Sequence, residues 1–167
     1  MIERLLDRLF RREEIDGNDR CPVYLIRWTI FQPRRLRKFW RGFGIYLHKF
    51  VGDDWSLDLH DHPKRFISIG LKGAYREATP IAPHERGIAA LYTGLTWKTF
   101  RAPWLRTFPA NHVHRIELLE DRRPCWTFVI VLTHVREWGF WHRGAFIHWR
   151  QYVHSDNTIA TSRRSCQ

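Results

Sequence analysis

Cysteine is scarce in this 167-residue chain: Cys21, Cys125 and Cys166 are odd in number and far apart. None forms a Cys-x-x-C pair, so neither a disulfide framework nor a thiolate zinc site is indicated. Long apolar runs are also missing, and no stretch approaches the ~20 residues of a membrane span. Met1 to Glu14 is charged throughout and lacks the apolar segment of a secretory signal. These absences lead us to expect a cytoplasmic protein that makes no use of the membrane. No P-loop or dinucleotide-binding glycine pattern occurs. Ser68, Ser155 and Ser162 have no nucleophile-elbow or triad context, which leaves serine chemistry without support.

What is present is aromatic and basic. Hydrophobic residues make up 44% of the chain, with nine Trp and eleven Phe, enough for one domain with a real core. The net charge of +11 points to an anionic partner: a small anionic molecule, a nucleic acid or an acidic protein. The basic residues gather at Arg34-Arg35-Leu36-Arg37-Lys38, Arg122-Arg123 and Arg163-Arg164. Arg at such sites favours bidentate phosphate contacts, which keeps a nucleic-acid modifier among the readings.

Ile2, Leu5, Leu6, Leu9 and Phe10 recur at helical spacing, so residues 1–16 read as an amphipathic helix that packs on the domain, ended by Asp16-Gly17. Short β segments follow: Val23 to Phe31, Phe43 to Val51 and Leu57 to His62. Phe66 to Leu71 and Ala74 to Ala78, joined by Lys72-Gly73, read as a hairpin. Ile88 to Tyr92, Thr96 to Arg101, Trp104 to Phe108, Val113 to Leu119, Cys125 to Thr133, Arg136 to Trp141 and Ala145 to Val153 complete the set. A β domain over residues 20–153 and a polar, flexible tail over 154–167 are expected. Many short strands without a βαβ repeat indicate an all-β sandwich or barrel.

The chemistry concentrates at His60-Asp61-His62, answered far downstream by Pro109-Ala110-Asn111-His112-Val113-His114. Strand side chains alternate faces, so a His-x-His pair turns both imidazoles to one side. A third imidazole from a distant strand makes three nitrogen ligands and leaves positions open for water or substrate. His112 shares strand parity with His114, and Asp58 shares it with His60 and His62. Each is a candidate fourth ligand, hydrogen-bond partner or proton-moving group. His48, beside Tyr46 on the preceding strand, is a further candidate for the cavity.

These residues resemble the cupin superfamily, whose two motifs read G-x5-H-x-H-x3,4-E-x6-G and G-x5-P-x-G-x2-H-x3-N. His60, His62 and Gly73 fit the first, and Pro109 and His114 fit the second. Phe66 stands where the first motif has Glu, and Asn111 where the second has its central Gly. Asp54, Pro103 and Leu118 also depart from the motifs. Small single-domain cupins of bacteria and phages show similar stretches around Leu59-His60-Asp61-His62-Pro63 and Glu137-Trp138-Gly139-Phe140. The resemblance implies a cupin-like double-stranded β-helix, or jelly roll, with His60, His62 and His114 holding one divalent metal. Iron is the first choice and zinc, manganese or nickel the alternatives.

The resemblance also implies a homodimer, and a three-His site similar to those of thiol and diketone dioxygenases, where substrate chelates the metal. Three neutral ligands leave the ion's charge uncompensated and so attract an anionic substrate, in keeping with the basic chain. Isomerase or hydrolase chemistry, and a pocket that binds without turnover, are the rival readings. Arg65 and Arg76, flanking the first motif, are expected to meet an anion at the rim. Trp126 is expected to stack on a flat ligand.

Overall fold

A computed structural model describes residues 2–15, 23–33, 42–81, 94–142 and 144–154. The strand expected at Ile88 to Tyr92, the Arg34 to Lys38 and Arg163-Arg164 clusters, Cys21, Cys166 and the tail beyond 154 lie outside the described residues. None of the described helices is long and apolar enough to cross a membrane.

The helix α1 (Ile2–Leu9) is followed by β1 (Arg11–Ile15), β2 (Leu25–Phe31), β3 (Gly44–Phe50), β4 (Leu59–His60), β5 (Lys64–Lys72) and β6 (Ala74–Pro80). Then come β7 (Leu95–Arg101), β8 (Trp104–Phe108), β9 (Arg115–Leu118), β10 (Cys125–His134), β11 (Gly139–His142), β12 (Ala145–His148) and α2 (Trp149–His154). Six strands form one sheet in the order β1-β2-β3-β10-β5-β8. Two three-stranded sheets, β12-β11-β4 and β7-β6-β9, make up the rest. An antiparallel bridge between His60 and His114 joins these two smaller sheets at the place where the motif histidines lie.

The expected hairpin at Lys72-Gly73 is instead a corner. β5 pairs with β8 and β10 in the large sheet, while β6 pairs with β7 and β9 in a small one. The paired segment from β7 to β8 turns at the same level, with Ala102 N donating to Gly73 O at 2.9 Å. A long two-stranded ribbon therefore bends from one layer to the other. Gly73 has φ 85°, a conformation that a side chain disfavours. A Cβ there would lie 2.4 Å from the Pro124 carbonyl oxygen.

Three further expectations are corrected. Residues 11–15 do not continue the first helix; their alternating charges form an edge strand, where charged side chains protect the open hydrogen-bonding edge. Trp149–His154 is helical rather than extended, and it buries Tyr152 completely. The first helix is held by polar ties, Asp7 accepting from Trp28 Nε1 at 2.8 Å and Glu3 from Lys49 Nζ at 2.7 Å. Its Ile2, Leu5 and Leu9 stay exposed, contrary to the packed apolar face that was expected.

The core centres on Leu25, Phe50, Tyr75, Ile116, Leu118 and Cys125, drawn from both layers. Several of these side chains also form part of the lining of a cavity of about 410 Å³ between the sheets. Burying each such side chain contributes about 1.5–3 kcal/mol, so the packing that closes the barrel also shapes the chamber.

Candidate metal centre

His60 ends β4 and His62 follows just beyond it. Both line the cavity, while Asp61 between them turns the other way and is fully buried. Asp61 accepts from Gly139 N at 2.9 Å and pairs with Arg136 at 2.7 Å, which fixes the segment against β11. His114 arrives through its backbone bridge to His60, with reciprocal N–H to carbonyl bonds of 2.8 and 2.9 Å. The three rings lie 5.0, 5.2 and 4.9 Å apart, centroid to centroid. One nitrogen from each lies within 4.8 Å of the others.

The structure adds a carboxylate that the sequence reading missed. Glu77, on β6, accepts from His114 Nδ1 at 2.6 Å and from His112 Nε2 at 3.0 Å, both on Oε1. Its second oxygen takes Arg106 Nη2 at 2.5 Å. A proton held on Nδ1 leaves the Nε2 lone pair of His114 free, and that atom lies 2.8 Å from Nε2 of His62. A carboxylate behind a ligating imidazole fixes its tautomer and raises its basicity. His60 has a comparable neighbour in Asp54, whose Oδ2 lies 3.6 Å from His60 Nδ1 and accepts from Ile116 N at 2.7 Å.

Burial dominates the titration here. Desolvation holds His62 well below the usual imidazole range, helped by His114 and His60. Desolvation likewise lowers His114 to about 4, against the opposing pull of Glu77. Burial alone would raise the Glu77 carboxyl, but the hydrogen bonds from His112 and His114 outweigh it and hold the group ionised. Two of the three rings are therefore neutral at pH 7, the state a metal requires. Glu77, His112 and His114 form a second group of donors within 4.8 Å, sharing His114 with the first. Because Glu77 is already occupied by three donors, the His60–His62–His114 set is the one that opens on the cavity. Its all-nitrogen character suits divalent iron, zinc, nickel or copper.

Phe66 occupies the place of the motif carboxylate. Its ring meets that of His62 edge-on at 4.8 Å and stacks on Phe108 at 4.5 Å. Tyr46 and His48 line the cavity. Burial raises the Tyr46 phenol, with Arg27 opposing. His112 lies beyond Glu77, in the turn before the bridge, and is not part of the cavity lining.

Four expectations are corrected. Asp58 sits in a bend, where strand parity no longer holds; its Oδ2 binds the Tyr152 hydroxyl at 2.7 Å and His142 Nδ1 at 3.0 Å. Arg65 is exposed and does not line the cavity. Arg76 is engaged by Glu117 at 2.6 Å and lies over Trp97 at 4.7 Å, on the outer side of β6. Trp126 points away from Thr127 and Val129, stacking on Trp28 at 5.5 Å under Lys49. Residues that sequence reasoning passed over, Arg27, Lys64 and Thr127, do line the chamber.

No sequence-family description and no curated protein matches the chain. Solved structures do. The chain is similar to oxalate decarboxylase of Bacillus subtilis at 13% identity and TM-score 0.52, covering 91% of this chain and 34% of that one. It is similar to an RmlC-like cupin protein of Ralstonia eutropha at 14% identity and TM-score 0.51, covering 84% and 75%. A DMSP lyase of Ruegeria pomeroyi gives 11% identity and TM-score 0.50, covering 75% and 57%. The chain thus spans only about a third of the decarboxylase. At these identities the likeness is one of fold, a cupin-like double-stranded β-helix.

Proposed function

Taking as premise a cupin-like β-helix with three imidazoles converging in its cavity, we propose that the protein is a metal-dependent enzyme acting on a small anionic metabolite. His60, His62 and His114 hold one divalent ion, iron before zinc, manganese or nickel, at a site of dioxygenase type. The observation that carries this reading is the 2.8 Å approach of Nε2 of His62 to Nε2 of His114, with the far side of His114 locked by Glu77. Two neutral imidazoles, that of His114 buried and that of His62 partly so, face one another there in a setting that favours a shared cation. The enzymes among the structural neighbours, an oxalate decarboxylase and a DMSP lyase, are in keeping with a small-molecule substrate.

An ion held by His60, His62 and His114 would supply Lewis acidity toward a substrate oxygen. The chain does the rest. Glu77 keeps His114 in one tautomer, and Phe66 and Phe108 exclude water beside His62. Arg27 and Lys64 give the chamber a positive lining. His112, on the Glu77 oxygen that also holds His114, is the group placed to pass a proton outward; Asp58, engaged by Tyr152 and His142, is not.

Elemental analysis of untagged protein tests the reading: near-stoichiometric metal is expected, and less than a tenth of an equivalent after loading with iron, zinc and manganese overturns it. Oxygen uptake with chelating organic acids then separates dioxygenase from isomerase or hydrolase chemistry. Phe66 in the carboxylate position favours one second reading, a pocket that captures a small anion without turnover. A ligand that copurifies and survives long incubation unchanged supports that reading over the first.

A further inference from the structure

The large sheet carries its own polar row, facing the cavity. Arg27 on β2 is the register partner of His48 on β3, and His48 is the partner of Thr127 on β10. All three line the chamber. Neighbouring strands lie about 4.8 Å apart, so the row is a closely spaced line of side chains across the sheet.

Each member is primed to donate. Arg27 Nε donates to His48 Nε2 at 3.2 Å. Burial, with the Arg27 charge, keeps this imidazole neutral. A neutral ring that accepts on Nε2 carries its proton on Nδ1, so His48 is a donor there. Thr127 is 1% exposed, and its hydroxyl has no hydrogen-bond partner among the described residues. Such a buried, unmatched group is uncommon and calls for a partner. Arg27 itself forms no ion pair among the described residues. Its cross-strand neighbour Glu13 pairs with Arg11 instead, at 2.6 Å.

We propose that Arg27, His48 and Thr127 form a seat for an acceptor-only anionic group, a carboxylate or phosphate, on the sheet facing the imidazoles. The substrate is then a small molecule with two oxygen-rich ends, one held by this row and the other at the metal centre. The second half of that statement rests on the metal reading; the seat itself does not. Arg binds either group through a planar fork, and the flanking N–H and O–H add direction.

The test uses metal-stripped full-length protein titrated calorimetrically with inorganic phosphate and, separately, with succinate. Saturable binding of at least one is expected, and the tighter of the two names the group. R27Q is expected to weaken it at least tenfold and the isosteric T127V about fivefold, while R65Q leaves it unchanged. H114A, which removes a metal ligand, is expected to keep the anion binding. That control separates the two ideas: wild-type protein that takes up no metal yet binds the anion sinks the metal reading alone. No binding of either anion, or undiminished binding by R27Q and T127V with wild-type thermal unfolding, overturns the seat.

Discussion

The two walls of the cavity satisfy their polar groups in opposite ways. On the side of β4, β6 and the bridge before β9, the imidazoles are held from behind: Glu77 secures His114 and Asp54 neighbours His60. On the large sheet, the Thr127 hydroxyl has no hydrogen-bond partner among the described residues, and Arg27 forms no ion pair there, its neighbour Glu13 pairing with Arg11. A supported wall presents lone pairs in fixed directions, as an ion demands. A wall with spare donors presents what an anion demands. The difference divides the labour of one chamber between its two layers.

The sharpest way to break the contrast is at the imidazoles. Replacing His114 by Ala is expected to abolish metal binding, at least a hundredfold in affinity, whereas Ala at His142 retains full stoichiometry; metal analysis after gel filtration reads both. A smaller effect is expected from Glu77→Gln, which weakens the acceptor behind His114 without changing its size. Metal affinity should fall about 10–100-fold, measured by competition with a chromophoric chelator.

Acid sharpens the contrast further. His62 and His114 have lowered pKa values in the folded state, His114 about 4 against 6.5 unfolded. Between those pH values the unfolded chain binds more protons, so metal-free stability drops as pH falls from about 6.5 towards 4. Glu77, also lowered, adds a loss in the same direction only below its unfolded value near 4.5. Thermal unfolding midpoints should fall across the first window in metal-free wild type and fall less steeply in H62F. Equal slopes would argue against a His62 held neutral by the fold.

Tyr152→Phe should matter less. The hydroxyl bonds Ser56 at 2.6 Å and Asp58 at 2.7 Å. Its loss should cost about 1–3 kcal/mol in denaturant unfolding and leave metal content intact. The smallest effect belongs to Arg76→Ala: Arg76 is half exposed, and the buried Glu117 keeps Arg115 at 2.9 Å, so the loss should be about 1 kcal/mol with nothing lost from binding in the cavity.

What the sequence made legible followed from period and spacing. His60 and His62 were readable because a single intervening residue places them on one face, and His114 because its motif resembles that of known cupins. Glu77 was not, since its partner strands are set by a corner at Gly73 that looks like a hairpin turn in one dimension. A signal did exist: Tyr75 and Glu77 are buried on either side of exposed Arg76, an inward acid in an alternating strand. Trp126 was misplaced because β10 is apolar on both faces, so alternation does not say which face is inside. Asp58 failed because it sits in the bend that precedes β4, where strand parity does not yet apply. The first helix was read too long because Arg11-Arg12-Glu13-Glu14 is compatible with either helix or edge strand.

The glycine at position 73 has a consequence for how this chain tolerates change. With its backbone turned to φ 85° and the Pro124 oxygen standing where a methyl group would go, even alanine has no room. The displaced strand would be β10, which carries Thr127 and Val129 into the chamber. A surface-level mutation would thus be felt as a misshapen interior, and library selections for ligand retention should return this codon unchanged while neighbouring Lys72 varies freely.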